Sequence, residues 1–239
     1  MRDWEELASL DPLWAVNSQP NRKYRKWNVV DFLATGLPDV QRIMNDSSRL
    51  QRPRTFDSAL DFGCGVGRLS HHLASHFENV EGIDISAEMV ETARRVNREV
   101  ANVNFSVNSY PDLRAFSDES FDLICAIVVL QHLPTQTAIE RYLTDFVRVS
   151  KRSGLIAFQL PDAIRLGRQL VARRIPYRAL RRAGLTPEFL YTRLGLHPMQ
   201  MSAMAAPRVT KCIRDAGGTV LDVVELSRHN KMYYAARAV

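Results

Sequence analysis

The segment Ser58–Gly67 reads Ser-Ala-Leu-Asp-Phe-Gly-Cys-Gly-Val-Gly, and it decides the fold. A short apolar run ends in Asp61, three glycines follow at alternate positions, and a helical pattern begins at Arg68. This order of strand, glycine turn and helix is how α/β sheets build nucleotide sites. Glycine permits positive φ angles and lets a ligand approach the main chain closely. The segment therefore predicts a ligand site at the carboxyl end of a strand.

The glycine spacing separates two kinds of nucleotide site. The dinucleotide fingerprint needs glycines at relative positions 1, 3 and 6. Counted from Gly63, the sixth position is Arg68, so a dehydrogenase is disfavoured. The form present, Asp-x-Gly-x-Gly-x-Gly, resembles the S-adenosylmethionine loop of class I methyltransferases.

Strand and helix patterns alternate after the loop, which predicts an α/β fold with a parallel sheet. The predicted strands are Ala59–Phe62, Val80–Ile85, Val103–Val107, Phe121–Val128, Gly154–Leu160, Val220–Leu226 and Lys231–Arg237. The main predicted helices are Val66–Phe77, Thr135–Val149 and Ser202–Ala216. The resemblance implies a seven-stranded, mostly parallel sheet of order 3-2-1-4-5-7-6, with the last strand antiparallel and helices on both faces.

Two further segments flank this pattern. Residues 1–52 are predicted to form an N-terminal helical segment or lid, and 53–239 the methyltransferase domain. Residues 161–200 form an arginine-rich insertion in that domain.

The resemblance implies a cofactor site built from four pieces of residues 58–134. The glycine loop would hold the methionine part of S-adenosylmethionine, with Asp61 balancing its positive groups. Asp84 ends the second strand, where a carboxylate can accept hydrogen bonds from both ribose hydroxyls. The residues of these two pieces are Asp61, Phe62, Gly63, Cys64, Gly65, Gly67, Asp84, Ile85, Ser86 and Met89; Ser86 is also the predicted N-cap of a helix, and Ile85 and Met89 would flank the adenine.

The other two pieces follow the third and fourth strands. Family members often have an acidic residue for the adenine amino group where this chain has Ser109. Asn108 could pair with adenine instead, and Tyr110 could stack on it. Val128 and Val129 complete the implied cofactor contacts.

Gln131 and His132 follow the fourth strand, where ligands bind in open α/β sheets. The resemblance implies that they face the transferring methyl group or the acceptor. A hydroxyl acceptor must lose a proton, and histidine titrates near neutral pH. His132 is therefore the candidate catalytic base.

Three more residues are candidates for acceptor binding. His197 precedes a late helix, in a stretch that can cover the acceptor pocket in the family. Tyr24 and Trp27 precede the core domain, where family members often place a lid. Burial of Trp27 as an anchor explains its position equally well.

The chain offers no convincing metal site. Cys64, Cys125 and Cys212 lack metal-ligand spacing, and an odd number of distant cysteines favours a reducing cytosol. His72 and His76 could bind a metal at i, i+4 spacing, but an exposed helix face explains them better.

The arginine-rich insertion holds eight arginines and two acids, and so carries the whole net charge of +6. Its arginines do not fall on one helical face, and Pro176 divides them. The cluster would either attract an anionic acceptor or form a solvated surface. A third interpretation, RNA binding, is less favoured because the insertion holds few aromatic residues for base stacking.

The sequence predicts a cytoplasmic protein without a membrane span, because its longest apolar run, Leu123–Leu130, falls short of about 18 residues. Its predicted function is S-adenosylmethionine-dependent methyl transfer to a small or medium-sized acceptor, with a sugar, lipid-linked or natural-product hydroxyl favoured. The alternatives are an RNA-modifying methyltransferase and a non-catalytic cofactor-binding protein. Oligomeric state stays open.

Overall fold

A computed structural model describes residues 2–163 and 169–238. Its centre is a seven-stranded sheet of order β3-β2-β1-β4-β5-β7-β6. Strands β1 to β5 run parallel, and β7 pairs antiparallel with β5 and β6. The strands are β1 Ser58–Phe62, β2 Asn79–Asp84, β3 Val103–Val107, β4 Phe121–Ala126, β5 Ser150–Pro161, β6 Gly218–Ser227 and β7 Asn230–Arg237. The predicted fold class and strand order are confirmed.

Ten α-helices are found among the described residues, and they cover both faces of the sheet. They are α1 Arg2–Leu10, α2 Pro12–Val16, α3 Val29–Ala34, α4 Leu37–Leu50, α5 Ser70–Leu73, α6 Ala87–Val96, α7 Gln136–Val149, α8 Gln169–Arg182, α9 Pro187–Thr192 and α10 Ala206–Asp215. One core joins α7 and α10 to the sheet, and a second joins α4 and α5 to the other face. None of the described helices is long and apolar enough to cross a bilayer.

The sheet order places the site. β1 lies between β2 and β4, and Asp61 is in register with Gly82 on one side and Cys125 on the other. The carboxyl ends of these three strands therefore meet at one edge. The chain connection reverses direction beside β1, and ligands bind at such a switch point.

Several predicted boundaries were wrong, including the start of β5, which lies at Ser150 rather than Gly154. The helix expected over Val66–Phe77 is only α5, because its regular part begins at Ser70, where the buried Asp61 carboxylate binds the backbone and hydroxyl. β4 ends at Ala126, not Val128, because Val128 adopts φ 62°. The late helix begins at Ala206 rather than Ser202, with Pro207 in its first turn.

The insertion is more regular than expected. α8 continues through Pro176, so proline does not divide the arginines into separate segments. Arg174, Arg178 and Arg181 follow i, i+4, i+7 spacing and share a helix face. Arg165 and Arg168 lie outside the described residues.

The N-terminal helices belong to two parts of the structure. α4 is part of the core, where Val40 and Ile43 are buried against β1. α1 and α2 lie over the carboxyl ends of the strands, packed with Met89 and Met199. The division into a segment of residues 1–52 and a domain of 53–239 stays a prediction.

Candidate functional site

A cavity of about 480 Å³ opens at the carboxyl ends of β1, β2 and β4. Most of the residues proposed from the sequence line it together. They are Asp61, Phe62, Gly63, Cys64, Gly65, Asp84, Ile85, Met89, Asn108, Val128, Val129, Gln131 and His132. The residues expected around the cofactor and the candidate base therefore share one cavity.

Side chains pack tightly against both sides of the glycine loop. Gly63 has φ 70°, and a Cβ there would lie 2.2 Å from Val129 Cγ2. Gly65 has φ 53°, and its Cβ would lie 2.5 Å from Val16 Cγ2. Any larger residue would meet these side chains in a conformation that glycine alone adopts easily. The two glycines therefore leave room for Val129, which follows β4, and for Val16 of α2 to pack against the loop.

Asp61 is buried beneath the loop. Its Oδ2 accepts hydrogen bonds from the Ser70 backbone at 3.0 Å and from the Ser70 hydroxyl at 2.6 Å. Burial raises the pKa of Asp61, while these bonds and the charge of Arg68 oppose the rise. The carboxylate therefore fixes the start of α5 as well as lining the cavity.

Asp84 joins the loop to the start of α6. Its Oδ2 accepts from Gly65 N at 3.0 Å, and its Oδ1 accepts from Ser86 N at 2.9 Å. Burial raises the pKa of Asp84 to about 6, against the backbone bonds that favour the carboxylate. Each oxygen keeps acceptor capacity beyond its one backbone bond. That is the arrangement needed for a pair of ligand hydroxyls.

The end of β4 is strained. Val128 has φ 62°, which is unusual for a β-branched residue, and such strain clusters at functional sites. The turn brings Val129 against Gly63 and begins the short 3₁₀ helix Leu130–His132. It thereby directs Gln131 and His132 into the cavity wall.

His132 has a defined tautomer when neutral. Its Nδ1 lies 2.7 Å from the Gln200 carbonyl oxygen, which can only accept, so Nδ1 carries the proton. Nε2 then holds a lone pair, 3.4 Å from the Gln131 amide nitrogen. Burial lowers the pKa of His132, opposed by the bond to Gln200. The imidazole is therefore neutral at pH 7 and able to accept a proton.

The segment before α10 holds this loop in place. The Gln200 amide donates to the His132 carbonyl at 3.2 Å, and the Ser202 hydroxyl donates to the Leu133 carbonyl at 2.8 Å. Together with the Nδ1 bond, these contacts fix both the backbone and the ring of His132. Gln200 therefore positions His132, and no sequence motif indicated this role.

α1 covers the cavity, with Asp3, Trp4 and Leu7 in its wall. The Trp4 ring meets His132 edge-on, with centroids 5.2 Å apart. The Glu5 carboxylate accepts from the Ser86 hydroxyl at 3.0 Å and from Ala87 N at 2.7 Å. α1 thus contacts the candidate base on one side and the start of α6 on the other.

Arginines of α8 complete the cover. Arg174 and Arg178 line the cavity, and both pair with Asp3. Beyond the cavity wall, Arg181 pairs with Glu6 at 2.9 Å, and the Tyr177 hydroxyl donates to Glu6 at 2.5 Å. Residues 171 to 175 positions apart form this contact, which the sequence did not predict.

Four residues proposed for the cofactor lie outside the cavity wall. Gly67 packs beneath the loop against Asn97 and Phe105. Ser86 is buried and caps α6 by accepting from Met89 N at 3.2 Å. Ser109 and Tyr110 point to solvent, and Tyr110 lies against Arg114.

The three acceptor candidates outside β4 are also displaced from the cavity wall. Trp27 is a buried anchor whose indole donates to the Asn17 carbonyl at 3.1 Å. Tyr24 is 45% exposed and packs on Tyr191. His197 is fully buried beside Trp14, and neither ring nitrogen has a hydrogen-bond partner among the described residues. Burial lowers the pKa of His197 to about 4.

The described residues contain no group of three or more His, Cys, Asp or Glu placed to hold a metal. The histidines of α5 are less exposed than expected. His71 Nδ1 lies 3.0 Å from the Asn97 side-chain oxygen, and His72 Nε2 lies 2.9 Å from the Leu33 carbonyl. Only His76, after α5, fits the expected exposed face.

Comparison with known proteins shows similarity to methyltransferases in sequence and in fold. The protein-family model described as "Methyltransferase domain" matches residues 60–158 of this chain. The segment covers β1 to β5, and with them the glycine loop, Asp84 and His132.

Individual methyltransferase sequences are also similar to part of this chain. The ubiquinone biosynthesis O-methyltransferase of Xanthomonas euvesicatoria pv. vesicatoria is 34% identical over 122 residues, 49% of this chain and 51% of its own. The chain thus spans about half the length of the curated relatives it matches.

Solved structures show the class I fold over a larger part of the chain. Magnesium protoporphyrin IX methyltransferase from Synechocystis PCC 6803, with bound S-adenosylhomocysteine, gives a TM-score of 0.58 at 22% identity, covering 87% of this chain and 84% of that one. An S-adenosylmethionine-dependent methyltransferase from Leishmania major gives 0.66 at 15%, covering 98% and 81%.

Proposed function

We propose that this protein transfers a methyl group from S-adenosylmethionine to a hydroxyl of a small or medium-sized acceptor. The observation that carries the proposal is the shared cavity. The glycine loop and Asp84 line it together with His132, whose unprotonated Nε2 belongs to a neutral imidazole.

The residues at one end of the cavity fit the cofactor. Asp84 offers two carboxylate oxygens for ribose hydroxyls, each already oriented by one backbone N–H. Ile85 and Met89 provide apolar surface for a base, and Asn108 provides an amide. When bound, the cofactor supplies a methyl group already activated by the sulfonium, so the protein mainly aligns the reactants and excludes water.

His132 would remove the acceptor proton. Its Nδ1–H is held by Gln200, so that Nε2 is the atom that accepts a proton. The Gln131 amide beside Nε2 can orient the acceptor hydroxyl. The orientation of the imidazole is restricted by the strained turn at Val128, by the hydrogen bonds to Gln200 and by the contact with the Trp4 ring. A general base needs such a fixed orientation toward the proton that it removes.

The relatives favour oxygen as the methylated atom. The curated matches are named ubiquinone biosynthesis O-methyltransferases, whose name places their reaction on a small molecule. Their similarity covers about half of this chain, so it supports the reaction type more than a particular acceptor.

RNA modification is less well supported than small-molecule methylation, because its main argument was the basic insertion. Arg174, Arg178 and Arg181 are paired with Asp3 and Glu6, so this part of the basic insertion binds the protein's own first helix. Arg174 and Arg178 line a cavity of small-molecule size, whereas an RNA strand would need a basic groove that follows its backbone.

Incorporation of label tests the proposal directly. The protein is incubated with methyl-labelled S-adenosylmethionine and a cell extract, which is then separated into small molecules, RNA and protein. We expect label in the small-molecule fraction, in a product whose methyl group resists base hydrolysis, as a methyl ether does, and which mass spectrometry and nuclear magnetic resonance assign to oxygen. Label confined to RNA or protein would contradict the proposed acceptor class.

A further inference from the structure

We infer that Arg174 and Arg178 form an anion-binding subsite for the acceptor, which Asp3 occupies when the acceptor is absent. The inference rests on the proposed function and adds the class of acceptor, a molecule bearing a carboxylate or phosphate beside its hydroxyl. Guanidinium groups bind such anions through charge-assisted, bidentate hydrogen bonds.

Position is the first argument. Arg174 and Arg178 stand one turn apart on α8, and both line the cavity that holds His132. Their partner Asp3 adjoins Trp4, whose ring contacts the His132 ring. The two guanidinium groups therefore belong to the part of the cavity where the acceptor would meet its base.

The pairing with Asp3 is the second argument. One oxygen of Asp3, Oδ2, serves both arginines, at 3.4 Å from Arg174 and 3.3 Å from Arg178. Both distances exceed those usual for charged hydrogen bonds. Arg174 Nε is buried without a hydrogen-bond partner among the described residues. The pair thus retains donors that a single carboxylate oxygen leaves unused.

Arg181 provides the contrast within the same helix. It binds Glu6 at 2.9 Å and the Leu185 carbonyl at 2.9 Å, and it does not line the cavity. Its guanidinium is engaged in holding α1 to α8. The anion subsite is therefore confined to the two arginines nearer the start of α8.

The cofactor's own carboxylate is an alternative source of the same chemistry. It differs from an acceptor in one testable respect, since saturation with S-adenosylhomocysteine would then fill the arginine pair. An acceptor subsite stays open to anions when that ligand is bound.

The experiment uses inorganic phosphate as the probe, titrated by calorimetry at low ionic strength into protein saturated with S-adenosylhomocysteine. We expect weak binding to wild type, binding tightened several-fold by Asp3→Asn, and binding weakened about tenfold or more by Arg174→Gln with Arg178→Gln. Arg181→Gln, the matched control, should bind phosphate as wild type does. Added salt should weaken the binding.

Several outcomes would overturn the inference. These are equal phosphate binding by wild type and the double variant, or no phosphate binding even by Asp3→Asn. Loss of S-adenosylhomocysteine affinity in a folded double variant, with phosphate excluded by that ligand, would assign the pair to the cofactor. If the double variant does not fold, the Asp3→Asn arm decides alone. Phosphate binding needs no turnover, so a failed methyl transfer would count against the proposed function and not against the subsite.

Discussion

At the residue scale, the site depends on side chains whose protonation is set by their surroundings. Burial moves the pKa of Asp84 up to about 6 and that of His132 down, while each keeps hydrogen bonds that oppose the shift. At pH 7 the carboxylate is ionised and the imidazole is neutral. These are the states needed to bind hydroxyl donors and to accept a proton.

His132→Ala should reduce turnover by a factor on the order of 10²–10⁴, because it removes the general base. Affinity for S-adenosylhomocysteine should stay close to wild type, since the cofactor contacts lie elsewhere in the cavity. Steady-state rates with an acceptor from the labelling experiment, alongside calorimetry, measure both quantities. His76→Ala, an exposed histidine, is the matched control.

The pH profile, measured with cofactor at saturating concentration so that protonation of Asp84 does not limit binding, gives an independent check on His132. A lowered pKa means that His132 stays neutral from high pH down to below 6.5, so the wild-type rate should be level there and fall as pH decreases further. Near-normal turnover in His132→Ala, or a rate that rises on acidification, would contradict a role as base.

At the scale of elements, α1 acts as a cover held by its acidic residues. Asp3 and Glu6 face α8, while Glu5 faces the start of α6. The contact with α6 combines a hydrogen-bonded cap with a negative charge at a helix N-terminus, both favourable. Helices α6 and α8 thus both contact the nine residues of α1.

Glu5→Ala should weaken the contact that holds α1 to the start of α6 by about 1 kcal/mol, the net contribution of a typical hydrogen bond. That corresponds to roughly fivefold faster hydrogen exchange for α1 amides if they exchange through local opening. Hydrogen exchange read by mass spectrometry measures this, with Glu91→Ala, an exposed acid of α6, as control. Unchanged protection of residues 3–10 in Glu5→Ala would show that this contact does not hold the helix.

The sequence predicted the elements that carry local signals. Short local motifs predicted the glycine loop, the acid that ends β2 and the histidine after β4. The family resemblance predicted the strand order. A lid in residues 1–52 was predicted, but its contacts with the insertion were not, because pairs such as Asp3 and Arg174 are 171 positions apart in the chain. No spacing rule links such residues.

The same limit explains the misplaced acceptor residues. Trp27 and His197 look like ligand contacts in isolation, yet each is buried away from the cavity wall. The positive φ angle of Val128 was also not predicted, because the apolar run that contains it has the pattern of a continuous strand. Packing between distant segments decides all three.

At the scale of the whole molecule, the charge of the chain is arranged more evenly than its sequence suggests. The excess of arginine in residues 161–200 meets acids of residues 3–6 across the cavity. The N-terminal helix and the insertion at residues 161–200 therefore close over a site built mainly by residues 61–132. Ligand binding at that site should involve all three.

Titration with S-adenosylhomocysteine by calorimetry tests the central claim, that the cavity is a cofactor site with Asp84 at its ribose end. We predict one site per chain, with affinity falling as pH is lowered through about 6, because Asp84 becomes protonated. Asp84→Ala should weaken binding by roughly ten- to a hundredfold through loss of charge-assisted bonds, whereas Glu81→Ala, earlier on the same strand, should not. Absence of binding to wild type, or equal affinity in Asp84→Ala, would contradict the account.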